Sequence, residues 1–247
     1  MKFKTIIFFL ALLFIYNSNA QNIIQLEPSF DKIIVSPHIE AVLKKGDKPS
    51  IKIEDINVSK EKFKYELKNG TLQVYLEGAK TYTKNKKIVI RNHERKVPLY
   101  KNRVVRIIIT YVDIKTFSFR GKEKITFKSS LKQEQCKLRI YGKSEVTIPN
   151  INVNNLNVSI YGDSFLSLEK GKVQKQKITA YGESKVMAAD VVSKETKLTA
   201  YGSGTFQVNA SERIKVSSYG EATILYKGDG KLKKGIVIGA SKIKRVQ

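Results

Sequence analysis

Cysteine is almost missing from the 247 residues: Cys136 is the only one, so no intramolecular disulfide can form. Stability must come from packing and ladder hydrogen bonds. Histidine is nearly as scarce, with His38 and His93 far apart in the chain. No metal-ligand spacing, nucleophile elbow or phosphate-cradling loop is present, so no metal, cofactor or catalytic residue is expected. Acids are few as well: 22 Asp and Glu face 46 Lys and Arg, a formal net charge of +24. The apolar run Thr5 to Tyr16 is shorter than the roughly 20 residues a spanning helix needs. Lys2 and Lys4 precede it and Ser18-Asn19-Ala20 follows, the layout of a signal peptide over residues 1–20. No cysteine closes that run, so a lipoprotein-type anchor has no attachment point. The expectation is an exported chain, 21–247, that forms one domain with no transmembrane segment after cleavage. The final compartment, periplasm, cell envelope or extracellular space, stays open.

What the chain does have is a repeat. Tyr-Gly recurs at Tyr141-Gly142, Tyr161-Gly162, Tyr181-Gly182, Tyr201-Gly202 and Tyr219-Gly220, in steps of 20, 20, 20 and 18 residues. Around each pair apolar and polar residues alternate, as in Leu138-Arg139-Ile140 and Val158-Ser159-Ile160, and a period of two means strand. One such unit cannot enclose a core alone and gains one only by stacking on its neighbours, which is the logic of a solenoid. The expected fold is all-β: a parallel β-helix of coils of about 20 residues, each three short strands joined by turns. Leu138, Val158, Ile178, Leu198 and Val216 would stack inward before the Tyr-Gly pairs. Val146, Leu166, Val186, Phe206 and Ile224 would do so after them. Arg139, Ser159, Thr179, Thr199 and Ser217 would face outward. Glycine suits each corner because it turns without a Cβ clash or takes positive φ. Gly121, with Arg120 before it, and Gly239, with Ile238 before it, extend the register to seven turns whose atypical ends read as caps.

Before the repeat come strands. Ile33 and Val35, then Ile39, Ala41 and Leu43, lead to a turn at Gly46-Asp47, and Ile51 and Ile53 resume. Asn69-Gly70 between Phe63–Leu67 and Leu72–Leu76 predicts a hairpin. Residues 80–106 form a basic insertion carrying Lys84, Lys86, Lys87, Arg91, Arg95, Lys96 and Lys101 among its cations, with Glu94 the only acid. It reads either as a loop or hairpin that binds anions or as a solvated insertion between strands.

A field of this size attracts any polyanion. Export and the lack of a nucleic-acid-binding signature favour anionic glycans, or another envelope protein, over a specific nucleic acid. The competing explanation is that dispersed lysines keep strand edges from aggregating. The five tyrosines, Tyr141, Tyr161, Tyr181, Tyr201 and Tyr219, would stack into a ladder. They are candidate ligand-binding residues, with rings for sugars and lysines for acidic groups; alternatively they half-bury beside each corner and support the next coil. An enzymatic reading rests on Asp163 and Glu183, placed about one rung of 4.8 Å apart, near the carboxyl spacing of a retaining glycosidase. Any solenoid with acids at equivalent turns reproduces that spacing.

Phe30-Asp31, the Ile39–Leu43 strand with Gly46-Asp47 and Ile51-Lys52-Ile53-Glu54, Asn69-Gly70-Thr71-Leu72, and the Ile107–Phe119 strands leading into Gly121 occur in that order, followed by Gly-x-Ser or Gly-x-Gly turns such as Gly202-Ser203-Gly204. In these the chain resembles the putative auto-transporter adhesin, head GIN domain family, over roughly Phe30 to Val246. The resemblance implies an exported bacterial protein of Bacteroidetes type with a right-handed parallel β-helix and an adhesin label. Tyrosine at the corners, where small residues are usual, and the basic insertion depart from the family's pattern. Together these readings describe an exported, non-enzymatic β-solenoid with an adhesin-like or anionic-ligand-binding role. The alternatives are a polysaccharide-active enzyme of β-helix type or a purely structural envelope protein.

Overall fold

The computed structural model describes residues 22–27 and 29–247, so the expected signal peptide lies outside the described residues. Ahead of the repeat come β1 (Ile23–Gln25), β2 (Lys32–Val35), β3 (Ile39–Lys45), β4 (Ser50–Ile56), β5 (Phe63–Lys68), β6 (Thr71–Leu76), β7 (Asn85–Ile90), β8 (His93–Pro98) and β9 (Val105–Tyr111). The repeat follows as β10 (Thr116–Gly121), β11 (Lys124–Phe127), β12 (Leu131–Gly142), β13 (Glu145–Ile148), β14 (Ile151–Gly162) and β15 (Phe165–Leu168). It ends with β16 (Gly171–Tyr181), β17 (Lys185–Gly202), β18 (Thr205–Gly220), β19 (Thr223–Lys227), β20 (Lys231–Ile238) and β21 (Lys242–Arg245).

The coils stack in parallel and in register. Tyr141 lies opposite Tyr161, Tyr161 opposite Tyr181, Tyr181 opposite Tyr201 and Tyr201 opposite Tyr219. Both expected inward rows are buried throughout. The inward alternation is interrupted along each coil: Ile151 and Val153, then Leu156, Val158 and Ile160, then Ser164, Leu166 and Leu168 are buried. Two consecutive outward residues, Asn154 and Asn155, mark the first interruption and three, Tyr161 to Asp163, the second, and with Glu169 and Lys170 ending the coil this gives three faces and three corners. One corner per coil carries the repeated glycine.

At that corner the seven glycines Gly121, Gly142, Gly162, Gly182, Gly202, Gly220 and Gly239 all have positive φ. Beside them runs a buried serine row: Ser144, Ser164 and Ser184 donate to the carbonyls of Gly121, Gly142 and Gly162 at 3.2, 3.1 and 2.9 Å. The carbonyls of Gly121 and Gly142 also accept the N–H of Lys143 and Asp163 at 2.8 Å, so both lone pairs are used. The row breaks at Gly204, where an added Cβ would come within 2.8 Å of the Phe206 ring. Phenylalanine replaces a smaller aliphatic in the inward row there, and the glycine makes room for it.

Four of the N-terminal strands extend the parallel stack. β2 pairs in parallel with β10 on one side and β6 on the other, and β3 pairs likewise with β11 and β9. The stack therefore continues two rungs beyond the Gly121 coil, and the earlier-sequence rung, β2–β3, lies inside the later one, β6–β9. Antiparallel β5 on β6 and β4 on β9 close this end, with β1 on the outside of β4. Asn69 (φ 49°) and Gly70 (φ 66°) make the tight turn expected for the β5–β6 hairpin.

Besides the serine row, a polar pocket is buried between neighbouring coils. Thr196 Oγ1 lies 2.5 Å from Ser193 Oγ and 3.3 Å from Gln176 Oε1, and Ser193 donates to the Asn209 carbonyl at 2.7 Å. Gln176, 2 % exposed, leaves Nε2 without a partner. An orphaned buried amide costs about 1–3 kcal/mol. Gln176→Leu is therefore expected to raise stability by about 1 kcal/mol in urea unfolding, since Thr196 can still bond Ser193. A loss of stability would show that the amide is needed. Cys136 is buried in the same inward column, and burial pushes its thiol up to about 12, far from nucleophilic use.

Candidate functional site

The site is built on the glycine corner. In the β2–β3 rung that corner is Ser36-Pro37-His38, with His38 at φ 70°, and an added Cβ on Gly121 would come within 3.0 Å of the Pro37 Cα. In the end rung the chain leaves β6 at Leu76 and re-enters β9 at Val105, so the whole basic insertion occupies the place of one corner. Sequence spacing does not show this, because the end rung has no Tyr-Gly pair to mark it. Val105 and Arg106, the last residues of the basic stretch, already belong to β9, where Arg106 bonds Glu40 at 2.9 Å.

The insertion folds as a two-stranded sheet, β7 against β8, turned by Arg91 and Asn92 at φ 50° and 62°. Lys84, Lys86, Lys87, Arg91, Arg95, Lys96 and Lys101 are all exposed. Lys87 pairs with Glu94 at 2.8 Å. Val89, near the tip, is 69 % exposed. The base is firm: Lys84 donates its N–H to the Gly78 carbonyl and Leu99 donates to the Lys84 carbonyl, each at 2.8 Å. Tyr100 is buried there and donates its hydroxyl to the Glu77 carbonyl at 2.8 Å; burial, then the Glu77 charge, raises its pKa.

Between the base of the insertion and the first corners lies a cleft of about 610 Å³. His38 latches the two parts together: its Nδ1 donates to the Asn102 carbonyl and its Nε2 meets Thr83 Oγ1, both at 2.6 Å. Glu123 stands where later coils have the corner serine, buried, with Oε2 accepting the Lys122 N–H at 2.9 Å and Oε1 3.9 Å from His38 Nδ1. Lys101, Lys122 and Lys143 line the cleft. Of this cluster, sequence reasoning found Lys101 alone. His38 and Glu123 are isolated in the chain, and the one local signal was a glutamate in the place of a repeated serine.

The tyrosine ladder forms as expected. Successive centroids lie 5.0, 4.9, 4.7 and 4.8 Å apart, with ring planes within 6° of parallel. The spacing is that of the strands, so register sets it. Tyr161, Tyr181 and Tyr201 are 40, 39 and 37 % exposed, and the Arg120 guanidinium lies over Tyr141 at 5.8 Å. Ring faces are covered by neighbouring rings; edges meet solvent. The ladder is therefore not a row of open faces for sugar stacking. Asp163, one of the two acids of the enzymatic reading, is held by Lys143 at 2.9 Å on the exposed corner, and Glu183 is exposed on the next coil. That bond raises the Lys143 pKa, with a smaller effect from the Asp163 charge. Among the described residues no group of His, Cys, Asp and Glu is placed to hold a metal ion, and no helix is long and apolar enough to cross a membrane.

A family model described as "Putative auto-transporter adhesin, head GIN domain" matches residues 29–230. Solved structures share the fold. A putative adhesin from Bacteroides fragilis is 20 % identical with a TM-score of 0.73, covering 92 % of this chain and 98 % of that one. A putative lipid binding protein from Parabacteroides distasonis is 18 % identical, TM-score 0.65, covering 91 % and 96 %. A putative adhesin from Parabacteroides merdae is 17 % identical, TM-score 0.65, covering 91 % and 95 %. No curated protein matches the chain.

Proposed function

The chain belongs to the putative auto-transporter adhesin, head GIN domain family, and from that premise we propose that it is an exported, non-enzymatic adhesin-like module that binds an anionic glycan of an envelope or matrix. One observation carries the reading. The basic hairpin replaces a corner of the end rung, so its cations and the tyrosine ladder share one edge of the solenoid, with the lysine-lined cleft between them. A hairpin held out from the body on a latched base presents charge without burying it. Cations clustered on one projecting element draw an acidic partner and orient it.

The test compares the chain from Gln21 onward with a variant in which Lys84, Lys86, Lys87, Arg91, Arg95, Lys96 and Lys101 are all glutamine, on an acidic-glycan array at low and physiological salt. Binding to a subset of glycans that survives physiological salt, weakened about tenfold or more in the variant, is expected for cations that meet a shaped ligand. Binding to every polyanion that disappears with salt would reduce the charge to an unspecific field, and the adhesive reading would fall.

A further inference from the structure

Apart from the hairpin, the solenoid itself carries a charge arrangement that the fold does not need. On the face that ends at the tyrosine corner, Lys177, Lys197, Lys215 and Lys233 lie opposite one another on four successive rungs. Three are exposed and Lys215 is half-buried. Among the described residues none of the four is in an ion pair; the nearby pair on this face is Arg213 with Glu195, at 2.8 Å in the next column. Like charges directly opposite across paired strands destabilise a sheet. Edge protection accounts for Lys233 alone, on the edge strand β20; it does not explain Lys177, Lys197 and Lys215, because β16, β17 and β18 are each hydrogen-bonded on both sides. A repulsive column in the middle of a sheet is matched when an occupant supplies the opposite charge at the same repeat.

The neighbouring columns describe that occupant. Two residues along each strand from the lysines stand Thr179, Thr199 and Ser217, and two further on Tyr181, Tyr201 and Tyr219. Short hydroxyl side chains thus lie between two taller rows, one cationic and one aromatic, all running along the solenoid axis. On the other flank of the lysines is a groove of about 380 Å³ lined by Lys175, Lys177, Lys197, Arg213, Lys215 and Lys233 among others. We propose that this face is a docking track for a linear acidic polysaccharide lying parallel to the axis. Its carboxylate or sulfate groups meet the lysine column and its hydroxyls meet the threonine and serine column. Four rungs at about 4.8 Å span about 14 Å between the outer lysines, so a chain of several sugars is needed to engage all of them. Single-stranded nucleic acid fits less well: it needs open aromatic faces to stack on, and the tyrosines cover one another's faces.

The proposal rests on the anionic-glycan reading above but places the contact on a different surface, so the two can fail separately. Polygalacturonate, its neutral methyl ester, a size series of oligogalacturonates and single-stranded polydeoxythymidine are titrated calorimetrically against three proteins. These are the wild type from Gln21, Lys177→Gln/Lys197→Gln/Lys215→Gln, and Lys86→Gln/Arg91→Gln/Lys96→Gln, the two variants losing equal charge. The expected result is polygalacturonate binding that strengthens with oligomer length, is absent for the methyl ester, and falls about tenfold or more in the column variant but less in the hairpin variant, which keeps Lys84, Lys87, Arg95 and Lys101 of the seven hairpin cations. The column variant should also melt higher than wild type at low salt, which shows that it is folded and that repulsion was relieved. Equal losses in both variants, equal binding of the methyl ester, or tighter binding of polydeoxythymidine would each overturn the track. Wild-type protein that binds no acidic glycan would remove the proposed function itself.

Discussion

Gly162→Val is expected to lower stability by roughly 3–5 kcal/mol, placing it among the severe single substitutions. Two effects combine. Gly162 has φ 101°, a conformation in which a β-branched residue is strained, and a Cβ there would overlap the Gly142 carbonyl oxygen of the coil before. That carbonyl already holds two hydrogen bonds, from the Asp163 N–H at 2.8 Å and from Ser164 Oγ at 3.1 Å, so it cannot move aside without breaking them. Gly182 has the same φ, but its added Cβ would stand 3.0 Å from the Gly162 carbonyl oxygen. Gly182→Val should therefore cost less, and the difference measures the clash apart from the backbone strain. Coils touch only their neighbours, so the Gly162 variant should also split urea unfolding into two steps as the halves uncouple. Equal losses at the two glycines would assign the whole effect to φ, and unchanged melting in both would refute the stacked corner.

Phe117→Ala should cost about 3–5 kcal/mol, the range for emptying a large aromatic site in a core. Phe117 is fully buried on β10, with ring centroids 5.5 Å from Tyr111, 5.0 Å from Phe127 and 6.2 Å from Phe119. The Tyr111 and Phe127 contacts are edge-on, at 74° and 75°, an arrangement that aromatic pairs favour. The cluster draws on β9, β10 and β11, that is, on the end rung and the Gly121 rung either side of β2–β3. Removing its centre should loosen the N-terminal rungs before the tyrosine coils. Hydrogen exchange provides the check: amides of β2, β3, β6 and β9 should exchange sooner than those of β14 and β16. Uniform acceleration across all coils would mean that the cluster is not a local clasp.

The site was legible in the sequence where it repeats or where its composition is biased. Tyr141 to Tyr219 and Gly142 to Gly220 stand out because each is one step from its own copy, and the cations of the hairpin stand out by composition. His38, Thr83, Tyr100 and Glu123 do not repeat and are up to 85 residues apart, from His38 to Glu123. They meet because β2 and β3 pair beside β10 and β11, bringing Pro37-His38 next to Gly121. The lysine column lay in plain view as Lys177, Lys197, Lys215 and Lys233, yet dispersed lysines read as a solvated surface until register placed them on successive rungs.

The coil, its inward rows and its glycine corner are determined by the sequence alone, for a physical reason. In a solenoid each strand pairs with its equivalent in the next coil, so period-two alternation and a 20-residue repeat together specify both the faces and the register. Tertiary structure decided the N-terminal end, where no period operates. Which strand covers the open edge of β10 and β11 depends on which segment buries the Phe117 cluster and satisfies the edge's hydrogen bonds. The segment that does so, Lys32 to Lys45, comes from the far side of two hairpins. From that single non-local choice followed the docking of the basic insertion at a corner and the cleft beneath it.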